Sequence, residues 1–181
     1  MAETLLLNSL DDTRRAAQAF ARTLKRGDVV ALSGELGTGK TTFVQDVVRC
    51  LSDTDAEVTS PTFTLLQTYP VRISSGEAIT LHHFDLYRIA SPRELAELGL
   101  EEAFAELALI EWPERLSDKR AFTHWLTFGL LEGAGPLPDP LPQAGEGISG
   151  AASGGPLSRL RERDGERGSE STRTLRIEAR P

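Results

Sequence analysis

The chain has 181 residues, 39% hydrophobic and 26% charged, which suits one globular domain with its own core. A formal net charge of −7 argues against direct, salt-driven binding to DNA or RNA, and no apolar run approaches the length of a membrane span. Cys50 is the only cysteine, so no intrachain disulfide can form. With no secretory pattern at the start (Leu5-Leu6-Leu7 is short and Asp11 and Asp12 follow), the expected location is the cytoplasm.

Thr4 to Leu7 reads as a first short strand. Ser9, with Asp12 three residues on, predicts a helix start, and Ala16, Phe20 and Leu24 mark its apolar face up to Gly27. Val29 to Ser33 is a buried strand by its β-branched and apolar run. Phe43, Val44, Val47, Val48 and Leu51 recur at helical spacing, and Cys50 is expected to pack in the core from that helix. Thr62 to Tyr69 and Ala78 to Phe84 predict a hairpin across the turn residues Ser74-Ser75-Gly76. Ser91-Pro92 opens a short helix over Arg93 to Leu98, and a second covers Glu101 to Phe104 after a break at Gly99. Leu107 to Ile110, His124 to Leu131 and Thr174 to Ala179 read as further strands. The fold class is α/β: a single P-loop domain with a mixed sheet flanked by helices.

Between the strand and helix at residues 29–51 lies Gly34-Glu35-Leu36-Gly37-Thr38-Gly39-Lys40-Thr41, which fits the phosphate-loop (Walker A) pattern G-x-x-x-x-G-K-[ST]. Glycines let the backbone turn so that successive N–H groups face one point. The helix N-terminus that follows, including Thr42, adds partial positive charge. Lys40 supplies a full charge for the β- and γ-phosphates, and the Thr41 hydroxyl is a ligand for the accompanying magnesium. Strand, glycine loop and helix form the context that the motif needs.

Hydrolysis needs more than a cradle. Asp85 and Glu111 each end a predicted strand, and in an open α/β sheet ligands bind beyond the carboxyl ends of parallel strands. Pattern favours Glu111 as the Walker-B-type acid, because four apolar residues precede it, but does not say which acid meets the metal. Ser60 and Thr62 fit either a switch loop on a γ-phosphate or plain turn chemistry around Pro61. Trp112 fits either stacking near the nucleotide or capping the core. His83 and Asp85 form an H-x-D pair, but His82, Cys50 and His124 make no convincing zinc set with them, and a packing or supporting role suits the histidines better. The absence of an N-K-x-D guanine-reading motif (Ser117-Asp118-Lys119 is the nearest fragment) favours ATP over GTP.

Four runs occur together in order: Gly34 to Thr42, Ser60-Pro61-Thr62-Phe63, His83-Phe84-Asp85-Leu86-Tyr87-Arg88 and Glu111-Trp112-Pro113-Glu114-Arg115-Leu116. In these the chain resembles the bacterial TsaE (YjeE) family, the ATPases of tRNA threonylcarbamoyladenosine biosynthesis. The resemblance covers Thr4 to about Leu131, with Thr174 to Ala179 as the closing strand. It implies ATP and magnesium as cofactors, slow hydrolysis, and a complex with the TsaB and TsaD proteins through which tRNA is met indirectly. It also implies that Lys40 and the loop amides bind phosphate, that Thr41 and Asp85 hold magnesium, that Glu111 is the acid for hydrolysis, that Thr62 is a switch-like threonine and that Trp112 lies near the nucleotide. Two other readings of a phosphate loop remain. One is a small-molecule kinase, whose arginine lid would have to come from Arg159 to Arg167; the other is a nucleotide-sensing module in which hydrolysis is incidental.

Gly133 to Ser171 breaks the pattern. It is rich in Gly, Pro, Ser and Arg, lacks apolar periodicity and is long for a connection within a domain, so it reads as a disordered insertion between residues 1–132 and a closing strand in 172–181. Deleting Gly135 to Glu170 and joining the ends by a short turn is expected to leave the melting temperature and ATP hydrolysis almost unchanged, because loop length costs little. Thermal unfolding and turnover of the shortened chain check this, and lost assembly with partner proteins would give the insertion a function.

Overall fold

A computed structural model of the chain describes residues 2–52, 58–61, 63–131 and 172–179. In chain order it contains β1 (Ala2–Leu7), α1 (Leu10–Ala21), β2 (Asp28–Ser33), α2 (Lys40–Leu51), β3 (Leu66–Arg72) and β4 (Ala78–Asp85). There follow α3 (Pro92–Ala96), α4 (Leu100–Ala105), β5 (Leu107–Glu111), a 3-10 turn (Pro113–Arg115), β6 (His124–Leu130) and β7 (Arg173–Ala179). The expected insertion at 133–171 and its arginines lie outside the described residues, as does Thr62. Among the described residues no helix is long and apolar enough to cross a membrane.

The strands make one sheet in the order β1-β7-β6-β2-β5-β4-β3. β6, β2, β5 and β4 run parallel, while β3 pairs antiparallel to β4 and β7 runs antiparallel between β6 and β1. The parallel centre is covered on both faces, which is why β2 and β5 read as unbroken apolar runs. Alternate residues of β2 point to opposite sides. Val30 and Leu32 join α1 and α2 in one core cluster, and Val29 and Ala31 join Ala103, Leu116 and Phe122 in the other. Leu109, fully buried on the first face, illustrates the scale: truncation to Ala would cost about 2–5 kcal/mol.

Local chemistry sets the boundaries. Ser9 caps α1: its Oγ accepts the Asp12 N–H at 3.1 Å, and the Asp12 carboxylate accepts the Asn8 N–H at 3.0 Å. α1 ends at Ala21, short of the expected Gly27, because the Thr23 hydroxyl and N–H both bind the Phe20 carbonyl, at 2.7 and 2.9 Å. Leu24, buried as expected, packs from the turn that follows. β3 begins at Leu66 rather than near Thr62. Leu65 takes a left-handed φ of 65° and its N–H closes a turn onto the Pro61 carbonyl at 2.7 Å, so ladder pairing starts only with Leu66 opposite Phe84. Cys50 is exposed, not in the core: the buried stripe of α2 runs through Phe43, Val44, Val47, Val48 and Leu51, and position 50 points away from it.

The phosphate loop is seated against β6. A Cβ on Gly34, where φ is +139°, would lie 2.4 Å from the Phe128 carbonyl oxygen, whereas a Cβ on Gly37 (φ +81°) would meet nothing within 4 Å. Gly34→Ala is therefore expected to lower the melting temperature more than Gly37→Ala, which carries only left-handed backbone strain of about 1–2 kcal/mol. Thermal unfolding of the two variants checks this; equal shifts would mean that β6 yields freely.

Candidate active site

β2 delivers Ser33 to the sheet edge, the glycine loop turns over it, and α2 starts at Lys40 with Gly39 as its cap at φ 99°. Phe43 N–H binds the Gly39 carbonyl at 3.0 Å, which starts the helical ladder. Thr38 is buried, and its hydroxyl binds the Glu35 carbonyl at 2.8 Å, tying the loop to itself. Glu35 and Leu36 are exposed.

Lys40 is only 4% exposed although charged. Its ammonium donates to the carbonyls of Gly34 and Glu35, both at 2.8 Å, and lies 4.4 Å from the centre of the Trp112 ring. Burial holds it below the ordinary lysine range, while the carboxylates of Glu111, Asp85 and Glu114 pull it back up. Trp112 itself has a left-handed φ of 58°, a costly conformation for a bulky residue. Its N–H binds the Leu32 carbonyl at 3.3 Å, and its ring lies 4.8 Å from that of Tyr87. Trp112 packs beside the second core cluster and also lines the cleft.

The two acids meet as the strand pattern requires. Asp85 pairs with Glu111 across β4 and β5, and Glu111 pairs with Leu32 across β5 and β2. Glu111 is 2% exposed. One of its oxygens accepts the Thr41 hydroxyl at 3.0 Å, and the other lies 2.9 Å from His83 Nε2. A carboxylate can only accept, so that ring nitrogen carries the proton. His83 is fully buried, and its Nδ1 has no partner among the described residues. One Asp85 oxygen accepts the Tyr87 N–H at 3.0 Å.

A cleft of about 410 Å³ brings together Leu36, Gly37, Gly39, Lys40, Thr41, Thr42, Asp85, Glu111 and Trp112. The donor set suits magnesium: one hydroxyl and two carboxylates are hard oxygen ligands, and this ion usually takes one or two carboxylates with phosphate oxygens and water. Among the described residues no group of three or more His, Cys, Asp or Glu could hold a metal by itself, and His83 is turned onto Glu111. Four further residues line the cleft that the motifs did not single out: Leu10, Tyr87, Arg88 and Arg173. Tyr87 and Arg88 sit in the run that contains Asp85, which was the available signal. Arg173 carried none, since only the pairing of β7 brings it there.

Comparison with known proteins agrees with this architecture. The family described as "Threonylcarbamoyl adenosine biosynthesis protein TsaE" matches residues 7–133. A "tRNA threonylcarbamoyladenosine biosynthesis protein TsaE" from Rickettsia bellii is 46% identical over 110 residues, covering 60% of this chain and 73% of that protein. Proteins of the same description from Treponema pallidum and Bacillus subtilis are 39% and 35% identical, covering 61% and 60% of this chain and 78% and 65% of their own. The crystal structure of Bacillus subtilis YdiB superposes with a TM-score of 0.55 at 22% identity, over 99% of this chain and 86% of that one, and so shares the fold. The chain belongs to the TsaE family of threonylcarbamoyladenosine biosynthesis proteins.

Proposed function

We propose that this protein binds ATP with magnesium and hydrolyses it slowly, acting in the cytoplasm with TsaB and TsaD in the threonylcarbamoyladenosine modification of tRNA. The observation that carries the reading is Glu111, a buried carboxylate held by Thr41 of the loop on one oxygen and by His83 on the other. Buried charges are kept when they are paired.

On this reading the Lys40 ammonium exchanges the two loop carbonyls for phosphate oxygens. Thr41 and Asp85 hold the magnesium, which when bound neutralises charge on the polyphosphate. Glu111 orients or deprotonates the attacking water, and His83 keeps its carboxylate from rotating away. Trp112 and Tyr87 wall the cleft on one side, limiting water near Lys40. Positioning and charge stabilisation lower the barrier, with little covalent work left to the protein. A chain of net charge −7 meets tRNA through its partners rather than by its own electrostatics.

Glu111→Gln is expected to bind ATP normally and to lose hydrolysis by about 10²–10⁴-fold, the usual range for a positioned base. Calorimetry and single-turnover assays check this; full hydrolysis would remove Glu111 from the role. Lys40→Ala should weaken ATP binding by about tenfold or more, the scale of one charge-assisted hydrogen bond. Asp85→Asn should make nucleotide affinity much less dependent on magnesium, and Glu111→Gln should not.

His83→Ala should slow hydrolysis with affinity retained. Added to Glu111→Gln it should cost nothing further, because the two act as one unit. Additive losses in that double-variant cycle would separate His83 from Glu111.

A further inference from the structure

We propose that Gln67 is a positioning residue for hydrolysis: its side-chain amide donates to His83 Nδ1 and so holds the imidazole that holds Glu111. The inference rests on the ATP reading above and extends it to β3.

The imidazole is held at one nitrogen only. Its Nε2 carries the proton given to Glu111 at 2.9 Å, so Nδ1 of the neutral ring is an acceptor. That atom is buried in a side chain with no exposure, and nothing among the described residues donates to it. An unmet acceptor in the interior is costly. The bond made by one ring nitrogen also sets which nitrogen keeps the proton, so a donor at Nδ1 would fix the tautomer that Glu111 needs.

The register of the sheet supplies the donor. Gln67 is the direct partner of His83 across β3 and β4, and His83 pairs in turn with Leu109 of β5, so the three share one face. The same face carries Tyr69 opposite Leu81 and Val71 opposite Ile79, all four buried in the first core cluster. Gln67 is thus a half-buried amide at the end of an apolar row. Side chains directly opposite one another stand about 5 Å apart at Cβ, within reach of a glutamine amide turned inward.

The other polar side chains on this face have no hydrogen to give. Asp85 and Glu111 present carboxylates, which accept. The single hydrogen of the Tyr69 hydroxyl is shared between the Thr59 carbonyl at 3.3 Å and Gln67 Oε1 at 3.5 Å. That contact engages the oxygen of the Gln67 amide and leaves its nitrogen, with two hydrogens, for His83. With Nδ1 occupied, the proton stays on Nε2 and the carboxylate of Glu111 keeps its orientation toward the attacking water.

The test compares the full chain with Gln67→Leu and Gln67→Glu, by nitrogen NMR of the His83 ring without nucleotide and by ATP binding and hydrolysis. Gln67→Leu is expected to move the His83 Nδ1 resonance toward that of a free imine nitrogen. It should lower kcat about three- to tenfold, the scale of one hydrogen bond, and leave KM and ATP affinity nearly unchanged. Gln67→Glu keeps the size and removes the donor, so kcat should fall there too; full activity in that variant would show a packing role and overturn the proposal. On a His83→Ala background Gln67→Leu should cost nothing further, and additive losses would separate the two residues. An Nδ1 resonance that Gln67→Leu leaves in place would overturn the proposal outright. If the unaltered chain hydrolyses no ATP, the ATP reading itself fails, and the resonance still decides whether Gln67 holds His83.

Discussion

A carboxylate excluded from water has to be held on both oxygens, and Glu111 is. The loop hydroxyl of Thr41 and the ring of His83 take one oxygen each, from two different elements, α2 and β4. Removing either partner would leave a buried charge exposed to the low-dielectric interior, a cost usually larger than the pair is worth in net stability. The start of α2, the end of β5 and the middle of β4 are therefore tied at one point. The position of the phosphate loop relative to the sheet follows from this contact and from the close approach of Gly34 to Phe128. Lys40 completes the arrangement as a buried cation facing two buried acids, which offset part of its own desolvation.

The sheet then determines what else can reach that point. Four parallel strands end at one edge, so the acids of β4 and β5 and the loop after β2 converge without long excursions of the chain. Reversed direction of β7 adds something that parallel strands cannot: it brings the beginning of a strand, and with it a cation, to the edge where the other strands finish. The cleft is consequently asymmetric. Acidic side chains lie toward β4, where Arg88 also lines the cleft, and the Arg173 guanidinium lies toward β7, with the lysine between them. A ligand carrying negative charge at intervals along its length, and a metal at one end, has a defined direction in such a field.

Legibility in the sequence followed the range of the interaction. The glycine loop, the Ser9 cap, the turn that joins β3 to β4 and the apolar runs of β2 and β5 are dictated by neighbours a few residues apart, and they stand where the pattern places them. Asp85 and Glu111 were readable as strand-end acids, and their pairing followed once the strands were parallel neighbours. Errors came where one residue outvoted the local trend. The Thr23 hydroxyl shortens α1, and the left-handed Leu65 delays β3. Cys50 was misplaced because its residue type suggested burial while its angular position on α2 opposes it. The His83–Glu111 contact joins residues 28 apart, and the place of Arg173 depends on a strand that pairs across the sheet; neither has a local signature.

The composition of the site bears on why a phosphate loop of this kind would turn over slowly. Hydrolysis by phosphate-loop enzymes is accelerated most by a cation brought to the terminal phosphate as charge develops there. Among the described residues, the cations that line this cleft are Lys40 in the loop, Arg88 and Arg173. Arg88 is drawn toward the exposed ring of Phe63, 4.5 Å away, and Arg173 lies on the side away from the acids. On the proposed reading, Lys40 and a metal are the positive charges nearest the terminal phosphate among the described residues. On that reading, a site built this way favours retention of its nucleotide over rapid turnover.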